Sequence, residues 1–375
     1  MTDGLPYILT LALIVFLSAV SLPGKDRGNN AKTAIIVIVL SLIAGLRATS
    51  VGSDTATYSR MFYWIADSST LKQAFDVSTI NAPVYVAYAY LLGKMGFSHQ
   101  MLLVVNALIT NIGIGIFIKR TCDKPATAFL IYFCLAMFFE SMNGMRQYVA
   151  IALAVNAYLD FYERGITSVR GWVLIALAVG IHSTAMAMMP AVTIVIIMRK
   201  MPMARKVLRI IFLVAALVGL IMGPLAKLFI QIFPNYGMYD GTNNIDLFSD
   251  AYGGRIRILY AVMLVACLFG YVAICNGDGI RDRYDYVIFL LLPICYFAGV
   301  LGIVYGKSFL INRLLWFYMV AYVPFIPAVV AKYHGGMNLL MKMGFGTTIG
   351  VWMIMQLIEN QDAALPYVLG ISLLR

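Results

Sequence analysis

The sequence has few charged residues: Asp, Glu, Lys and Arg make up 12% of its 375 residues, whereas 62% are hydrophobic. Its mean hydropathy of +0.86 excludes a soluble globular protein and a disordered chain. Because lipid obliges every backbone amide to find a partner within its own segment, we expect an all-α, polytopic transmembrane helix bundle. The net charge of +11 does not indicate nucleic acid, since the basic residues lie in short loops, as the positive-inside rule predicts.

Residues for metal, redox or nucleotide chemistry are also few. The five cysteines and three histidines show no metal-ligand spacing, and we interpret the cysteines as small core residues. The sequence contains no Walker loop, zinc signature or Gly-x-Ser-x-Gly elbow. We therefore expect no metal and no cofactor. Without a repeat or a long polar linker, residues 1–375 are predicted to form a single integral membrane domain.

Apolar segments predict about 12 spans, with soft boundaries because several are shorter than an untilted crossing needs. The first lacks the features of a signal peptide and is expected to be retained. A tyrosine-rich segment at 83–97 is predicted to be a half-span or an interfacial helix. The predicted spans are 5–22, 33–46, 101–118, 126–141, 146–162, 169–183, 186–198, 207–225, 256–275, 286–304, 310–331 and 340–358.

Loop charges predict the orientation of these spans. The most basic connector, 199–206, is placed in the cytoplasm, and alternation then puts the basic loops 25–32, 119–124, 163–170 and 332–342 on the same side. The opposite, outer side receives two larger loops, about 47–82 and 226–255. It also receives three places where polar residues interrupt the apolar background.

The first of these places follows the second span. Arg47 is separated from Asp54 by a Gly-Ser turn, and Tyr58 comes four residues after Asp54. On a helix, Asp54 and Tyr58 share a face, and Arg47 is expected to reach back to the carboxylate. These residues are compatible with a functional site. They are equally compatible with an arginine that anchors the helix at the membrane interface beside a solvated turn.

The second place opens a span. Asn143, Arg146 and Gln147 bring amide groups, a guanidinium and the positive end of a helix dipole together, which suits a phosphate or a pyrophosphate. The alternative is a capping Asn143 with an Arg146 that extends to the membrane surface.

The third place is His182, a candidate general base or phosphate ligand, although a lone histidine between two short spans is more often a packing residue. Later spans begin with Arg255 and Arg257, and with Asn312 and Arg313. Arginines are expected to be rare on the outer side, so those predicted there require anionic partners. Either the acidic loop at 226–255 or a phosphorylated ligand would provide these.

In this order and spacing the polar residues resemble the EpsG family of bacterial exopolysaccharide proteins, which belongs with the Wzy-type O-antigen and capsule polymerases. The resemblance extends over roughly 50–190, and a later match fits the C-terminal part. It rests on Arg47, Gly52-Ser53-Asp54, Tyr58, Met145-Arg146-Gln147-Tyr148-Val149-Ala150, Ile181-His182-Ser183, Asn312-Arg313, Tyr318 and Pro324.

The resemblance implies a GT-C-like membrane glycosyltransferase in the bacterial inner membrane, with its active site facing the periplasm. Its substrates would be a donor and an acceptor linked to undecaprenyl pyrophosphate. Membrane lipid, a chain-length regulator and a flippase are the other partners to expect.

We assign leaving-group stabilisation to Arg146, assisted by Arg47 and Arg313, and the base to Asp54, with His182 as the second choice. Substrate contacts are expected at Tyr58, Asn143, Gln147, Arg255, Arg257, Asn312 and Arg313. No metal is expected, because no second acidic residue adjoins Asp54 in the sequence. A flippase or other transporter, a glycan ligase and an O-acetyltransferase are the alternatives, and a non-catalytic scaffold accounts least well for the arginines.

Overall fold

The chain is helical in its computed structural model, which describes residues 4–78, 80–200, 255–275, 280–305, 309–360 and 362–370. These ranges contain no β-strand, only an isolated antiparallel bridge between Arg47 and Leu369. The predicted all-α class is confirmed for this part of the chain. The predicted span 207–225 and all of the predicted loop 226–255 except Arg255 lie outside it.

Two compact units divide the chain, one formed by Met1–Met189 with Ile349–Arg375 and the other by Pro190–Thr348. The single membrane domain stays a prediction. The helices of the first unit are α1 (Leu5–Ala19), α2 (Lys25–Gly45), α3 (Thr55–Asp67), α4 (Leu71–Val77), α5 (Pro83–Lys94), α6 (His99–Thr121), α7 (Pro125–Cys134), α8 (Met137–Asn143), α9 (Met145–Arg164) and α10 (Val169–Ile181).

The second unit begins within the helical segment that follows α10. Its helices are α11 (Met189–Lys200), α12 (Arg255–Cys275), α13 (Arg283–Tyr305), α14 (Phe309–Met319), α15 (Tyr322–Ala331) and α16 (Gly335–Glu359), of which the residues from Ile349 onward belong to the first unit.

Several helices have the length and hydropathy that a membrane crossing needs. In the described residues there are five, and seven if each of two bent pairs is one span. The pairs are α7 with α8, bent by 61°, and α14 with α15, bent by 48°. The helices α1 and α10 are apolar but shorter, and α5, with 12 residues, is too short for an untilted crossing. The chain is thus a multi-pass membrane protein, while the count of about 12 spans stays a prediction.

The helix boundaries have local causes. Ser98 and Ser168 accept hydrogen bonds from the backbone amides of Gln100 and Gly171, at 3.1 Å in each case, and so cap α6 and α10. A proline in the first turn starts α1, α5 and α7, where its missing N–H costs nothing. The helix α9 is the centre of the first unit: α6, α8 and α10 pack against it, and nearly all its residues from Met145 to Phe161 are buried.

One end of the first unit is held by ion pairs around a buried carboxylate. Asp160, near the end of α9, is fully buried and receives Arg120 Nη2 at 2.8 Å and Arg170 Nε at 3.2 Å. Arg120 also contacts Glu163 Oε1 at 2.8 Å. At the same end, Lys25 lies 3.9 Å from Asp123. Parts of three of the loops that the charge pattern placed on one side, 25–32, 119–124 and 163–170, therefore lie at one end of this unit, while their side of the membrane stays a prediction.

We expect Asp160→Asn to destabilise the protein by about 3 kcal/mol, because the substitution leaves two arginines without their shared buried carboxylate. The loss stays below the upper limit for buried pairs, since Arg120 keeps Glu163 and Arg170 is half-exposed. Thermal unfolding in detergent measures the change. Glu163→Gln, which alters a half-exposed partner of the same arginine, is the matched control and should shift the midpoint much less.

Candidate functional site

The other end of the first unit carries the polar residues that the sequence singled out. After α2 ends at Gly45, the chain forms a turn and enters α3 at Thr55. Along α9, Arg146 lies about 21 Å from Asp160, because each helical residue advances about 1.5 Å. The candidate site and the ion-pair network are therefore at opposite ends of one central helix.

Arg47 is buried in the loop that follows α2, with 2% of its surface exposed. Its guanidinium donates to the carbonyl oxygens of Met142 at 2.6 Å and Val51 at 3.3 Å, and to that of Ala44. Burial lowers the pKa of Arg47 to about 10, which leaves it charged at neutral pH. Arg47 thus fixes the loop against the end of α8, and its donors are directed at backbone carbonyls and the Thr55 hydroxyl, not at Asp54.

A C-terminal segment, residues 362–370, lies along this loop. Three main-chain hydrogen bonds of 2.8 Å join them: Ala48 N to Val368 O, Gly370 N to Leu46 O, and Gly52 N to Ala363 O. Gly52 has a φ of +91°, so only glycine adopts this backbone without strain. The loop after the second helix is therefore completed by the far end of the chain.

Asn143, the last residue of α8, connects the loop with the C-terminal segment. Its Oδ1 accepts from Ser53 Oγ at 3.1 Å and from the Asp54 backbone N–H at 3.4 Å. Its Nδ2 donates to Asp362 Oδ1 at 2.9 Å. The alternative that Asn143 caps the next helix is wrong: Gly144 occupies that position, and no side chain caps α9.

Asp362 and Asp54 are close enough to interact electrostatically. Burial raises the pKa of Asp362 to about 6, the hydrogen bond from Asn143 opposes the shift, and the negative charge of Asp54 adds to it. Asp54 is partly buried at the N-cap of α3, and its side chain does not cap that helix. The site therefore contains two carboxyl groups with one amide between their segments.

Arg146, the second residue of α9, lies between two tyrosine rings. Its guanidinium carbon is 5.5 Å from the ring centre of Tyr58 and 5.2 Å from that of Tyr85, both within cation–π range. Within the described chain, the buried Arg146 Nε and the Tyr85 hydroxyl find no hydrogen-bond partner. Gln147, the next residue, is buried with 2% exposed. The arrangement presents a positive charge, at the positive end of a helix, with donor capacity still available.

His182 lies at the end of α10, beside the start of α5. A Cβ on Gly180 would come within 2.4 Å of Val84 Cγ2, so only glycine permits this approach. Val84 precedes Tyr85, and His182 therefore shares the end of the bundle at which Arg146 is held. The His182 Nδ1 and the Thr184 hydroxyl are 2.6 Å apart.

The remaining predicted residues lie in the second unit. Arg255 and Arg257 are exposed at the start of α12, and Arg257 Nη2 donates to Val304 O at 3.4 Å. Asn312 is buried and accepts from the Tyr260 hydroxyl at 2.7 Å. The Arg313 guanidinium lies 6.0 Å from the Trp316 ring centre.

Sequence reasoning did not find Asp362 or the role of Tyr85. A signal for Asp362 was present: it follows a predicted span in the polar run 359–362, and charge alternation places that run on the outer side. The expectation that no second acidic residue adjoins Asp54 is wrong in the folded protein, because Asp362 lies close enough to interact with it electrostatically. The described residues form no group of three or more His, Cys, Asp or Glu side chains suited to a metal ion. Metal independence stays a prediction.

These helices define a multi-pass membrane protein with a cation–carboxylate site at one end of its first unit. The EpsG family matches residues 32–369, most of the chain. The chain therefore belongs to the EpsG family, a Wzy-type, polymerase-like family. No curated protein and no solved structure matches it. Membership makes the chain an exopolysaccharide or O-antigen polymerase-like membrane protein.

Proposed function

We propose that the chain is a metal-independent polysaccharide polymerase of the bacterial inner membrane with a GT-C-like fold. It transfers a growing glycan from undecaprenyl pyrophosphate to a hydroxyl of a lipid-linked repeat unit at the periplasmic face. The proposal rests chiefly on Arg146, whose guanidinium has a donor without a hydrogen-bond partner among the described residues. Arg146 lies at the same end of the first unit as the carboxyl groups of Asp54 and Asp362.

The chemistry requires these two kinds of group. The acceptor oxygen attacks the anomeric carbon, the bond from that carbon to the pyrophosphate oxygen breaks, and its electron pair leaves with the pyrophosphate. A fixed guanidinium at a helix N-terminus stabilises the charge that develops on the leaving group. A carboxylate accepts the proton from the acceptor hydroxyl.

The roles follow from the placement of each residue. Arg146 stabilises the leaving group, and Asp54 takes the proton, with His182 as the second candidate base. We assign Arg47 a positioning role and not the catalytic role predicted from the sequence, because it fixes the loop that carries Asp54. Tyr58 orients Arg146 and offers an aromatic surface to a sugar ring.

We also assign roles to the other residues predicted to contact the substrate. We assign Asn143, which hydrogen-bonds Ser53 and Asp362, and the buried Gln147 to the surroundings of the donor pyrophosphate. Arg255, Arg257, Asn312 and Arg313 all lie in the second unit, and we assign them to the acceptor's pyrophosphate. A chain-length regulator and a flippase are the protein partners that such a polymerase would work with.

A transporter of lipid-linked oligosaccharides is the second candidate, and the two broken helices favour it. One bent pair lies in each unit, and broken helices in two halves are typical of secondary transporters. Transporters place charged residues near the membrane midplane, however, whereas Arg146 and Asp54 lie at a helix end and a turn. A glycan ligase shares the polymerase chemistry and differs only in its acceptor.

Reconstitution of the purified protein with lipid-linked repeat units tests the function. We expect a ladder of glycans that lengthens with time, and extension that continues in EDTA. Translocation without a ladder would support the transporter. Transfer of one block to a different acceptor, without a ladder, would support the ligase, and loss of extension in EDTA would contradict metal independence.

A further inference from the structure

Helix α5 carries two tyrosines, about one turn apart, whose hydroxyl groups are used differently. The Tyr88 hydroxyl donates to Asn106 Oδ1 at 2.7 Å, and Asn106 Nδ2 in turn donates to the Leu102 carbonyl oxygen at 2.7 Å. The Tyr85 side chain is fully buried, and its hydroxyl has no hydrogen-bond partner in the described part of the chain. The fold thus satisfies one phenol and leaves the other available.

The unpaired hydroxyl of Tyr85 is unfavourable for folding. A hydroxyl in a protein interior has lost its hydrogen bonds to water, and this loss is not recovered unless another partner replaces them. Phenylalanine would fill the same space without that cost. A buried hydroxyl in this state is explained when a ligand provides its partner.

The cation beside Tyr85 has the same property. The Arg146 guanidinium carbon lies 5.2 Å from the Tyr85 ring centre, and the Tyr85 hydroxyl lies within electrostatic reach of this charge. The buried Nε of Arg146 likewise has no hydrogen-bond acceptor in the described residues. Two unused donors, one of them cationic, therefore belong to side chains in direct contact.

Tight packing holds these donors in place. Tyr58 and Tyr85 belong to one buried hydrophobic cluster with Met145 of α9. A Cβ on Gly93 would come within 2.2 Å of Ala66 Cβ, so only glycine permits the approach of α5 to α3. Donors on rigid elements lose little conformational entropy when a ligand binds, which favours binding.

Both side chains come from the first turn of a helix. Tyr85 is the third residue of α5, and Arg146 is the second residue of α9. The N–H groups of a first turn have no acceptor within their helix and carry the positive end of its dipole. Arg146 is partly exposed, which gives a ligand access to its guanidinium. An anion with several oxygen atoms is the ligand that these groups fit.

We propose that Tyr85 is a further catalytic residue: its hydroxyl and the Arg146 Nε–H donate hydrogen bonds to oxygens of the donor's pyrophosphate. The inference rests on the proposed function. As the bond from the anomeric carbon to the pyrophosphate oxygen breaks, its electron pair moves onto the pyrophosphate, and both hydrogen bonds strengthen with that charge. Neither Tyr85 nor Arg146 gives up its proton.

The first test compares two tyrosine variants of the purified protein without ligand. Tyr85→Phe removes a hydroxyl that has no partner in the described chain, so the midpoint of thermal unfolding should stay unchanged or rise. Tyr88→Phe keeps its ring but deprives Asn106 Oδ1 of a donor, and should lower the midpoint. A lower midpoint in Tyr85→Phe would show that the fold already uses this hydroxyl and would overturn the proposal.

The second test measures binding of inorganic pyrophosphate, in EDTA, from its effect on the unfolding midpoint. We expect pyrophosphate to stabilise the wild-type protein, and its affinity to fall about 10- to 100-fold in Tyr85→Phe, the range for a hydrogen bond to a charged group. Tyr88→Phe should keep the wild-type affinity. Unchanged affinity in Tyr85→Phe, or no stabilisation of the wild-type protein, would overturn the proposal.

A lipid headgroup offers similar phosphate chemistry, and two further ligands separate these sources. Inorganic phosphate and glycerol phosphate, which carries the single phosphate of a headgroup, should both bind much more weakly than pyrophosphate. Their affinity should also be insensitive to Tyr85→Phe. Affinity for glycerol phosphate equal to that for pyrophosphate would assign the two donors to a lipid headgroup and overturn the assignment to the donor's pyrophosphate.

Reconstituted glycan extension separates this proposal from the proposed function. We expect Tyr85→Phe to lower the rate at saturating donor by about 10- to 100-fold. If Tyr85→Phe binds pyrophosphate and extends glycans as the wild-type protein does, the role of Tyr85 is wrong and the polymerase stands. If Tyr85→Phe loses pyrophosphate affinity but the wild-type protein forms no ladder, the anion site is present and the polymerase function is wrong.

Discussion

Replacing Arg146 by alanine is expected to lower glycan polymerisation about 10³-fold, which corresponds to roughly 4 kcal/mol of transition-state stabilisation. The substitution removes the positive charge between the rings of Tyr58 and Tyr85 and leaves the leaving pyrophosphate without its principal partner. Cells that carry this variant should accumulate single lipid-linked repeats. Gel analysis of polymer length, beside membrane quantification of the protein, measures the effect.

Two further variants sharpen this prediction. Arg146→Lys keeps the charge but not the planar, bidentate guanidinium, and should give intermediate activity. Arg60→Ala removes an exposed arginine of α3, whose Nη2 contacts only Thr57 among the described residues, and should leave polymer length unchanged. Polymer of wild-type length in Arg146→Ala would show that another cation stabilises the leaving group.

Local patterns in the sequence were sufficient for most of the helices. The predicted spans 101–118 and 256–275 lie within α6 and α12, because apolar runs of this length form helices in lipid. The segment 33–46 was too short at its start: α2 begins at Lys25, since helical hydrogen bonds continue through its polar first turns. Hydropathy reports what lipid covers, not where the helical backbone begins.

The break in the predicted span 126–141 had no local signal. The chain turns at Ala136, which has a φ of +63°, although no glycine or proline marks the position. The aromatic packing of Phe133, Phe138 and Phe139 around the bend holds this backbone. Tertiary contacts of this kind override local propensity, so the bend that brings Asn143 to the site was not predictable from composition.

The candidate site was predictable only in part, because some of its contacts also join residues that are distant in sequence. Charge alternation placed Asp54 and Arg146 on one side, and in the structure Asn143, three residues before Arg146, hydrogen-bonds the turn that carries Asp54. It also placed Arg47 there, but could not show that its donors would be used by carbonyls. Asp362 is 219 residues from Asn143 in sequence, and no local rule connects positions so far apart.

Asp54→Asn is expected to reduce glycan extension between about 10² and 10⁴-fold, the range for loss of a general base. The substitution is nearly isosteric, and the backbone hydrogen bond from residue 54 to Asn143 remains. The Asp54 side chain does not cap α3, so the turn should keep its shape. The loss should therefore appear as a lower rate at saturating lipid-linked substrate, with the amount of folded protein unchanged.

The comparison with His182→Ala decides which residue is the base. His182 lies beside α5 and Asp54 lies beside Asn143. His182→Ala and Asp54→Asn therefore remove two different side chains at the same end of the first unit. We expect His182→Ala to lose much less activity than Asp54→Asn, and Asp67→Asn, at the far end of α3, to lose none. Should His182→Ala instead be the more damaged variant, the proton passes to the histidine, and the carboxylates orient the acceptor.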